Sequence, residues 1–186
     1  QYLIMVGKFN RGPIHRFSME LPYPSIDDSF SKQFIDSDYN LNGEGYDAEI
    51  QEDGKIILVG DISYYHKPNY IDNIIRLNPD GSQDESFIKG KGTDKEIFCA
   101  EIQDDGRIII AGYFTNYNGV KVNRITRLNV DGSLDPSFNS GKGPDGKIND
   151  IAIQDDGKII IAGFFSSYNG VPISNIARLN KDGSLD

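Results

Sequence analysis

The sequence predicts an all-β protein built from tandem repeats, and three observations support this fold class. The motif Ile-Gln-(Glu/Asp)-Asp-Gly-(Lys/Arg)-Ile-Ile occurs three times, beginning at Ile50, Ile102 and Ile153. Two further motifs, Arg-Leu-Asn and Asp-Gly-Ser, each recur at intervals of 51 residues. Strand signals fill every repeat, whereas helical periodicity is absent.

The motifs divide the chain into one degenerate unit and three full units. The degenerate unit covers residues 1–30, where Tyr23-Pro24-Ser25 replaces the Asp-Gly-Ser turn. The full units cover residues 31–83, 84–134 and 135–186, and we expect the last one to lack its final strand. The first full unit carries six extra residues, most of them around Asp38 to Gly45.

The second full unit illustrates the first hairpin of each repeat. Ile97 to Gln103 is an apolar-rich run, and Arg107 to Phe114 is a β-branched run that ends in aromatic residues. Between them, Asp105-Gly106 is a strong signal for a two-residue hairpin turn. This pattern predicts two antiparallel strands.

Two further strands follow in the same unit. Asn118-Gly119 predicts a second tight turn, because both residues tolerate positive φ. Val120 to Asn129 then predicts a third strand. Beyond the Asp-Gly-Ser turn, Leu134 to Phe138 is expected to form a short fourth strand or an edge segment.

Four short antiparallel strands in about 50 residues are typical of a β-propeller blade. Stacked blades would cover both faces of the second strand, which explains the continuous apolar runs Ile108–Ile110 and Ile159–Ile161. A β-solenoid is the alternative, but its coils are usually shorter and lack tight hairpins at these positions. About fourteen strands are predicted, too few for four complete blades, so we expect a fragment of a larger propeller.

The last unit also carries a family resemblance. Ile153 to Phe165 and Asn175 to Asp186 resemble the delta-60 repeat, a propeller family of bacteria and phages. The similarity is close in the last two units, good in the first full unit and poor from Gln1 to Phe30. It implies many such blades, often within large secreted, surface-anchored or virion proteins, and it transfers no catalytic residues.

Composition excludes several classes of function. The chain has 28 acidic and 19 basic residues and a net charge of -9, which opposes binding to a nucleic-acid backbone. No apolar run approaches the roughly 18 residues of a membrane span, so no membrane insertion is expected in this segment. The single cysteine, Cys99, excludes an intrachain disulfide framework.

The acidic turns are the first candidates for metal binding or catalysis. The run from Asn129 to Asp135 brings several oxygen-bearing side chains to one turn, as calcium requires. We favour Asp side chains bonded to nearby backbone N–H groups, because the acidic spacing of an EF-hand is absent. The pairs Asp104-Asp105 and Asp155-Asp156 recur with the turns, so we interpret them as structural rather than as an acid–base pair.

The remaining motifs also argue against an enzyme. Gly141 to Gly146 matches a dinucleotide-binding fingerprint formally, but it precedes a strand in an all-β chain. His15 and His66 are the only histidines and have no neighbours at zinc-ligand spacing. We therefore predict no catalytic residues, no metal site and no cofactor. The recurring Arg76, Arg127 and Arg178 are predicted to pair with turn carboxylates or neighbouring blades.

Aromatic residues near the second hairpin turn are the best candidates for recognition, because exposed rings can stack on sugars or on apolar protein patches. The predicted ligand- or partner-binding residues are Tyr64, His66, Lys67, Tyr113, Tyr117 and Tyr168. Tyr117 and Tyr168 recur between units, and the favoured interpretation is that they pack locally beside the turn. The non-repeated Tyr64, His66 and Lys67, and the insertion, are more informative about function.

Three functions are compatible with these features. The first is a non-catalytic scaffold for protein interaction, adhesion or assembly in a surface-exposed or virion protein of the phage-tail type. The second is a carbohydrate-binding, lectin-like propeller, with or without a calcium requirement, and the third is an enzyme using its central channel. The first function predicts protein partners in a larger assembly, and the second predicts surface glycans as the alternative partner. The expected location is extracellular, at the cell surface or in a virion.

Overall fold

The structure is a computed structural model that describes residues 41–64, 67–71, 73–88 and 90–186. Within these ranges every regular element is a β-strand, which confirms the all-β prediction. Nowhere in them does a helix occur that is long and apolar enough to cross a membrane. The degenerate unit at 1–30, His66 and the first part of the insertion lie outside the described residues.

Each full unit forms one main antiparallel sheet, and the second and third units each add a separate two-stranded hairpin. The first sheet contains β1 (Leu41–Ile50), β2 (Ile56–Tyr64), β3 (Lys67–Ile71) and β4 (Ile74–Leu77). The second contains β5 (Ile97–Ile102), β6 (Ile108–Gly112) and β9 (Ile125–Leu128), with a small hairpin of β7 (Asn116–Tyr117) and β8 (Val120–Lys121). The third contains β10 (Lys147–Ile153), β11 (Ile159–Phe164) and β14 (Ile176–Leu179), with the hairpin β12 (Ser167–Tyr168) and β13 (Val171–Pro172).

The strand layout within a sheet differs from four uniform strands. The predicted third strand is divided, because β8 pairs only with β7 while β9 pairs with β6. Arg124 lies at this division with φ of 63°, a left-handed conformation that interrupts a pleated strand. The predicted fourth strand is an edge segment, represented by a single bridge between Leu128 and Leu134.

The two kinds of turn also differ. Asn118 and Gly119 both have positive φ, as the predicted tight turn requires. In the first hairpin only Gly106 has positive φ, and the Gln103 N–H bonds to the Arg107 carbonyl across a three-residue loop. The predicted hairpin is therefore present, but its loop is one residue longer than the two-residue turn predicted from Asp105-Gly106.

The first strands of successive sheets lie side by side, with β5 between β1 and β10. The main core fills the spaces between sheets. Ile57 and Val59 of the first sheet pack with Ile108 and Ile110 of the second, whereas Ile109 faces the third sheet. The continuous isoleucine run is thus covered on both faces, as the stacked-blade prediction requires.

Two of the recurring arginines form hydrogen bonds between neighbouring sheets. Arg76 donates from Nε to Asp84 at 2.8 Å and from Nη1 to the Val130 carbonyl of the next sheet at 2.5 Å. Arg127 repeats this arrangement with Asp135 at 2.7 Å and the Lys181 carbonyl at 2.7 Å. The predicted pairing with turn carboxylates and neighbouring blades is therefore confirmed for both arginines.

Candidate functional site

Three sets of equivalent positions differ in chemistry between the units, and all lie at the end of the sheets where β5 and β10 begin. The sets are Glu44, Glu96 and Lys147; Tyr46, Phe98 and Asn149; and Asp61, Tyr113 and Phe164. Strand register places Glu44 opposite Asp61, and Lys147 opposite Phe164. We call the end of the sheets that carries these nine residues the variable end.

A continuous row of side chains crosses the three sheets at the variable end. The ring centroids of Tyr46 and Phe98 are 5.6 Å apart, in a tilted arrangement. The Lys147 ammonium lies 5.3 Å from the Phe98 centroid and 5.1 Å from the Phe164 centroid, within the range of cation–π attraction. We call Tyr46, Phe98, Lys147 and Phe164 the aromatic row.

The aromatic row is accessible from solvent. Phe164 is 68% exposed and Tyr46 is 40% exposed, whereas Phe87, Phe114 and Phe165 are buried. An exposed ring loses the free energy that burial would give it. A connected set of such rings, rather than scattered single ones, is typical of a surface that contacts another molecule.

Carboxylates flank the Tyr46 end of the row. Burial, followed by the negative charges of Glu44, Asp61 and Glu96, raises the pKa of Tyr46. Burial, followed by Glu96 and Glu44, likewise raises the pKa of Asp61. Glu44, Asp61 and Glu96 thus place negative charge at this end, while Lys147 supplies positive charge further along the row.

The predicted site residues separate into two groups. Tyr113 is 43% exposed and lies at the variable end, with the Lys95 ammonium 4.5 Å from its ring centroid. Tyr117 and Tyr168 are fully buried, and their hydroxyls donate to the carbonyls of Gly132 and Gly183. The structure therefore places these two rings beside the turn, in agreement with the local-packing interpretation, where a partner does not reach them.

The remaining predicted residues belong to the enlarged first unit. Tyr64 in β2 pairs with Leu41 of β1 and with Lys67 of β3, and His66 lies outside the described residues. The β1–β2 hairpin continues from Gly45 back to Leu41, so the insertion lengthens the first sheet at the variable end. The insertion and the aromatic row consequently share one end of the molecule.

The aromatic row was not predicted, because its residues lie on the first and second strands of the sheets rather than around the second hairpin turn. The available signal was a comparison of the units position by position. At the position after Gly60, Gly112 and Gly163 the residues are Asp61, Tyr113 and Phe164, so a carboxylate in one unit is replaced by aromatic rings in the others. Positions that build a repeat are constrained to be similar, so a position that varies this much is free to serve a partner.

A second cluster lies on the adjacent first strands. Asp47 and Glu49 of β1, Glu101 of β5 and Asp150 of β10 bring four carboxylates together, and within the described chain none of them forms an ion pair. Asp47 Oδ2 accepts a bond from the Ala100 N–H at 2.9 Å and so joins β1 to β5. The sequence alone does not indicate this cluster, because its carboxylates come from three different units.

We call Asp47, Glu49, Glu101 and Asp150 the acidic cluster. Burial and repulsion within it raise the pKa of two of its carboxyl groups. Burial, followed by the charges of Glu101 and Asp47, raises the pKa of Glu49 to about 7. Burial, followed by Asp47 and Asp150, raises the pKa of Glu101. Carboxyl groups with raised pKa values occur in acid–base catalysis, but repulsion between like charges in a structural strand has the same consequence.

Replacing Glu49 with glutamine is expected to stabilise the fold by about 1 kcal/mol at pH 8, after discounting for solvent screening of a half-buried group. The raised pKa of Glu49 contributes stability that is complete below its unfolded pKa and is lost as the pH rises through about 7. The wild-type chain should therefore become more stable between pH 8 and pH 5, and Glu49→Gln should flatten this slope. Urea unfolding at both pH values measures the effect.

Glu52→Gln is the matched control, because Glu52 is exposed in the turn that follows the same strand. It should leave the pH dependence unchanged. An equal flattening by both substitutions would contradict the assignment of the slope to the acidic cluster.

The acidic turns have internal partners for their carboxylates. Asp131 Oδ1 accepts bonds from the N–H and the hydroxyl of Ser133, and these bonds lower the pKa of Asp131. Asp80 with Ser82 and Asp182 with Ser184 repeat this geometry. Among the residues that the structure describes, no three His, Cys, Asp or Glu side chains are placed to hold a metal ion.

Comparison with known proteins agrees with this architecture. A family model described as a β-propeller domain of unknown function (DUF5122) matches residues 51–87, 103–138 and 154–186, and each match begins in a different full unit. These matches cover more than half of the chain. No curated protein matches the chain. The propeller fold and the resemblance to delta-60-type repeats are thereby confirmed, and the chain belongs to the DUF5122 β-propeller family.

Proposed function

We propose that this propeller segment is a non-catalytic interaction module that engages a protein partner through the aromatic row. The observation that carries the proposal is the exposure of Tyr46 and Phe164 in a row that crosses three sheets. Large aromatic side chains dominate the energetics of protein interfaces, and they do so best on a rigid support. The stacked sheets and the Lys147 ammonium provide that support.

The shape and charge of the surface favour a protein over a small molecule. The row spans three blades, and its ends differ in charge, with carboxylates near Tyr46 and Lys147 near Phe164. A surface of this kind selects the orientation of an extended partner. The lengthened β1–β2 hairpin adds a further contact area at the same end.

The setting that fits this role is adhesion or assembly in an extracellular, cell-surface or virion protein. Two features support it: the resemblance to propeller repeats of surface and phage proteins, and the net charge of -9, which disfavours nucleic acid as a partner. In this proposal the acidic cluster is a structural feature of the first strands rather than a catalytic centre.

Selection of binders from a random peptide display library tests the proposal. We expect independent binders to converge on the aromatic row, so that Phe164→Ala combined with Tyr46→Ala weakens binding by about tenfold or more. The double variant should keep the wild-type unfolding midpoint, because both rings are exposed. Titration calorimetry measures the affinities.

Val120→Ala and Val171→Ala provide the control, since both valines are exposed and belong to the second hairpins rather than to the row. They should leave binding unchanged. Binders that tolerate the loss of Tyr46 and Phe164 but are lost with the valines would refute the proposed surface.

Carbohydrate recognition is the second candidate, supported by the combination of an exposed Tyr46 ring with the neighbouring Glu44, Asp61 and Glu96. Aromatic rings stack on sugar faces, and carboxylates accept bonds from sugar hydroxyls. A glycan array would then show binding that Tyr46→Ala abolishes. Loss of that binding on chelation would indicate a calcium requirement, and an array without binding would leave only the protein-interaction proposal.

A further inference from the structure

Two rings of the aromatic row are presented by the same feature of the backbone. The β1–β2 pairing shifts register at Tyr46, and the β5–β6 pairing shifts register at Phe98. In the third sheet the shift falls at Asn149. A β-bulge of this kind leaves its extra residue outside the ladder of hydrogen bonds and re-aims the side chain. The bulge therefore presents one residue of each unit at the variable end.

A glycine in the second strand makes each bulge possible. A Cβ atom on Gly60, Gly112 or Gly163 would collide with an opposing carbonyl oxygen. The two backbones can approach this closely only because the glycine has no side chain. The support is thus the same in every unit, whereas the residue at the bulge differs between units. A rigid, constant support with a variable side chain suits a position that recognises a partner.

The surroundings of the first bulge are acidic. Glu44 and Asp61 lie directly opposite one another in the β1–β2 pair, an arrangement that lowers stability because like charges repel. Glu96 precedes β5, and burial, followed by the charges of these three carboxylates, raises the pKa of Tyr46. Among the ion pairs of the described residues, none involves Asp61 or Glu96. Mutually repelling charges are therefore retained beside an exposed ring.

A ring bordered by carboxylates is complementary to a cation, which the ring face attracts and the carboxylates bind through its N–H donors. Other exposed rings at the variable end already have such a neighbour. The Lys147 ammonium lies 5.1 Å from the Phe164 centroid. The Lys95 ammonium lies 4.5 Å from the Tyr113 centroid. Within the described chain no lysine or arginine lies over Tyr46, although its surroundings are the most acidic of the three.

We propose that the Tyr46 end of the aromatic row receives a cationic side chain, arginine or lysine, from an extended segment of a protein partner. The cation lies on the Tyr46 ring and pairs with Asp61 and Glu96, and a neighbouring side chain of the segment packs on Phe98. The proposal rests on the proposed function, because it assigns the chemistry of the partner that the row engages. The net charge of -9 favours the encounter with a basic partner.

Peptide selection against matched variants tests the proposal. A random display library is selected in parallel against the wild-type chain and against Asp61→Asn combined with Glu96→Gln. We expect arginine and lysine to be enriched about threefold or more at one position of the wild-type binders, and the double variant to lose this enrichment. Asp104→Asn is the control and should keep it, since Asp104 is exposed in the turn at the other end of β5.

A double-mutant cycle then places the cation. Replacing the basic residue of a wild-type binder with glutamine should weaken binding about fivefold or more, and so should Asp61→Asn. The two changes together should weaken binding little more than either one alone, because they remove the same contact. Asp61→Asn should not lower the unfolding midpoint, since it relieves the repulsion from Glu44. A merely structural role of Asp61 would not combine weaker binding with undiminished stability.

The failure of this proposal differs from the failure of the proposed function. Binders that need Tyr46 and Phe164 but carry no enriched basic residue would overturn the cationic assignment and leave the row as an interface. Enrichment that persists after neutralisation of Asp61 and Glu96 would also overturn it, because the net charge would then account for the selection. Binders that tolerate Tyr46→Ala combined with Phe164→Ala would overturn both.

Discussion

Replacing Arg127 with alanine is expected to lower the free energy of unfolding by about 4 kcal/mol, a large fraction of the stability of a typical domain. Arg127 is buried between the second and third sheets, where its guanidinium bonds to Asp135, Gln103 and the Lys181 carbonyl. Its loss leaves the buried Asp135 carboxylate without its closest cation and removes the donor to two partly buried oxygens. It also removes the contact with Phe138, whose ring centroid lies 5.1 Å from the guanidinium carbon.

The charge of Asp135 explains why the effect should be large. Burial by itself would raise the pKa of Asp135, but hydrogen bonds from Ser137 and Arg127 lower it to about 2. The carboxylate is therefore ionised at neutral pH and needs a cation. Arg107, at 3.7 Å, is a longer and more exposed substitute for Arg127.

Arg178→Ala is the matched control, since Arg178 occupies the same motif position but its side chain is half exposed. Its replacement should cost less than about 1 kcal/mol, as for surface ion pairs in general. Guanidinium unfolding of both variants gives the comparison. Equal losses at the two positions would show that the arginine acts within its own sheet rather than between sheets.

Replacing Gly112 with alanine is expected to destabilise the chain by about 3 kcal/mol. A Cβ atom on Gly112 would collide with the Glu96 carbonyl oxygen and would lie 2.9 Å from the Ile97 Cα. Both obstacles are backbone atoms where β5 begins, next to its register shift between Ile97 and Cys99. The strand must therefore move, and its pairing with β6 is weakened where the variable end begins.

Gly119→Ala separates steric crowding from backbone conformation. Gly119 has φ of 80°, and no atom lies within 4 Å of the position that a Cβ would occupy, so alanine there should cost only about 1 kcal/mol of conformational strain. Thermal unfolding of the two variants provides the measurement. A Gly112→Ala variant no less stable than Gly119→Ala would show that the bulge adjusts without cost.

Features determined by neighbouring residues could be predicted from the sequence. The Asn118-Gly119 turn follows from two residues that tolerate positive φ, and the isoleucine runs follow from burial on both faces. The length of the loop at Asp105-Gly106 was harder to predict, because an Asp-Gly pair fits more than one hairpin geometry. There the Asp105 carboxylate accepts the Arg107 N–H, which favours the longer loop.

Features that join different sheets could not be predicted from single motifs. Tyr46, Phe98 and Lys147 are about 50 residues apart in sequence and meet only because their strands start at the same end of the stack. Glu49 and Glu101 likewise approach one another because β1 and β5 are adjacent. A sequence motif reflects the contacts within its own repeat, but it carries no information on how neighbouring repeats pack against each other.

The sequence by itself determined that this protein is a stack of repeated β-sheets, because periodic turns and apolar strands leave few other arrangements. Tertiary structure decided which residues are exposed. It buried Tyr117 and Tyr168 beside their turns, exposed Phe164, and left Ile176 uncovered on the third sheet. Exposure and contact between repeats depend on how the sheets pack, and packing is a property of the whole stack rather than of any one unit.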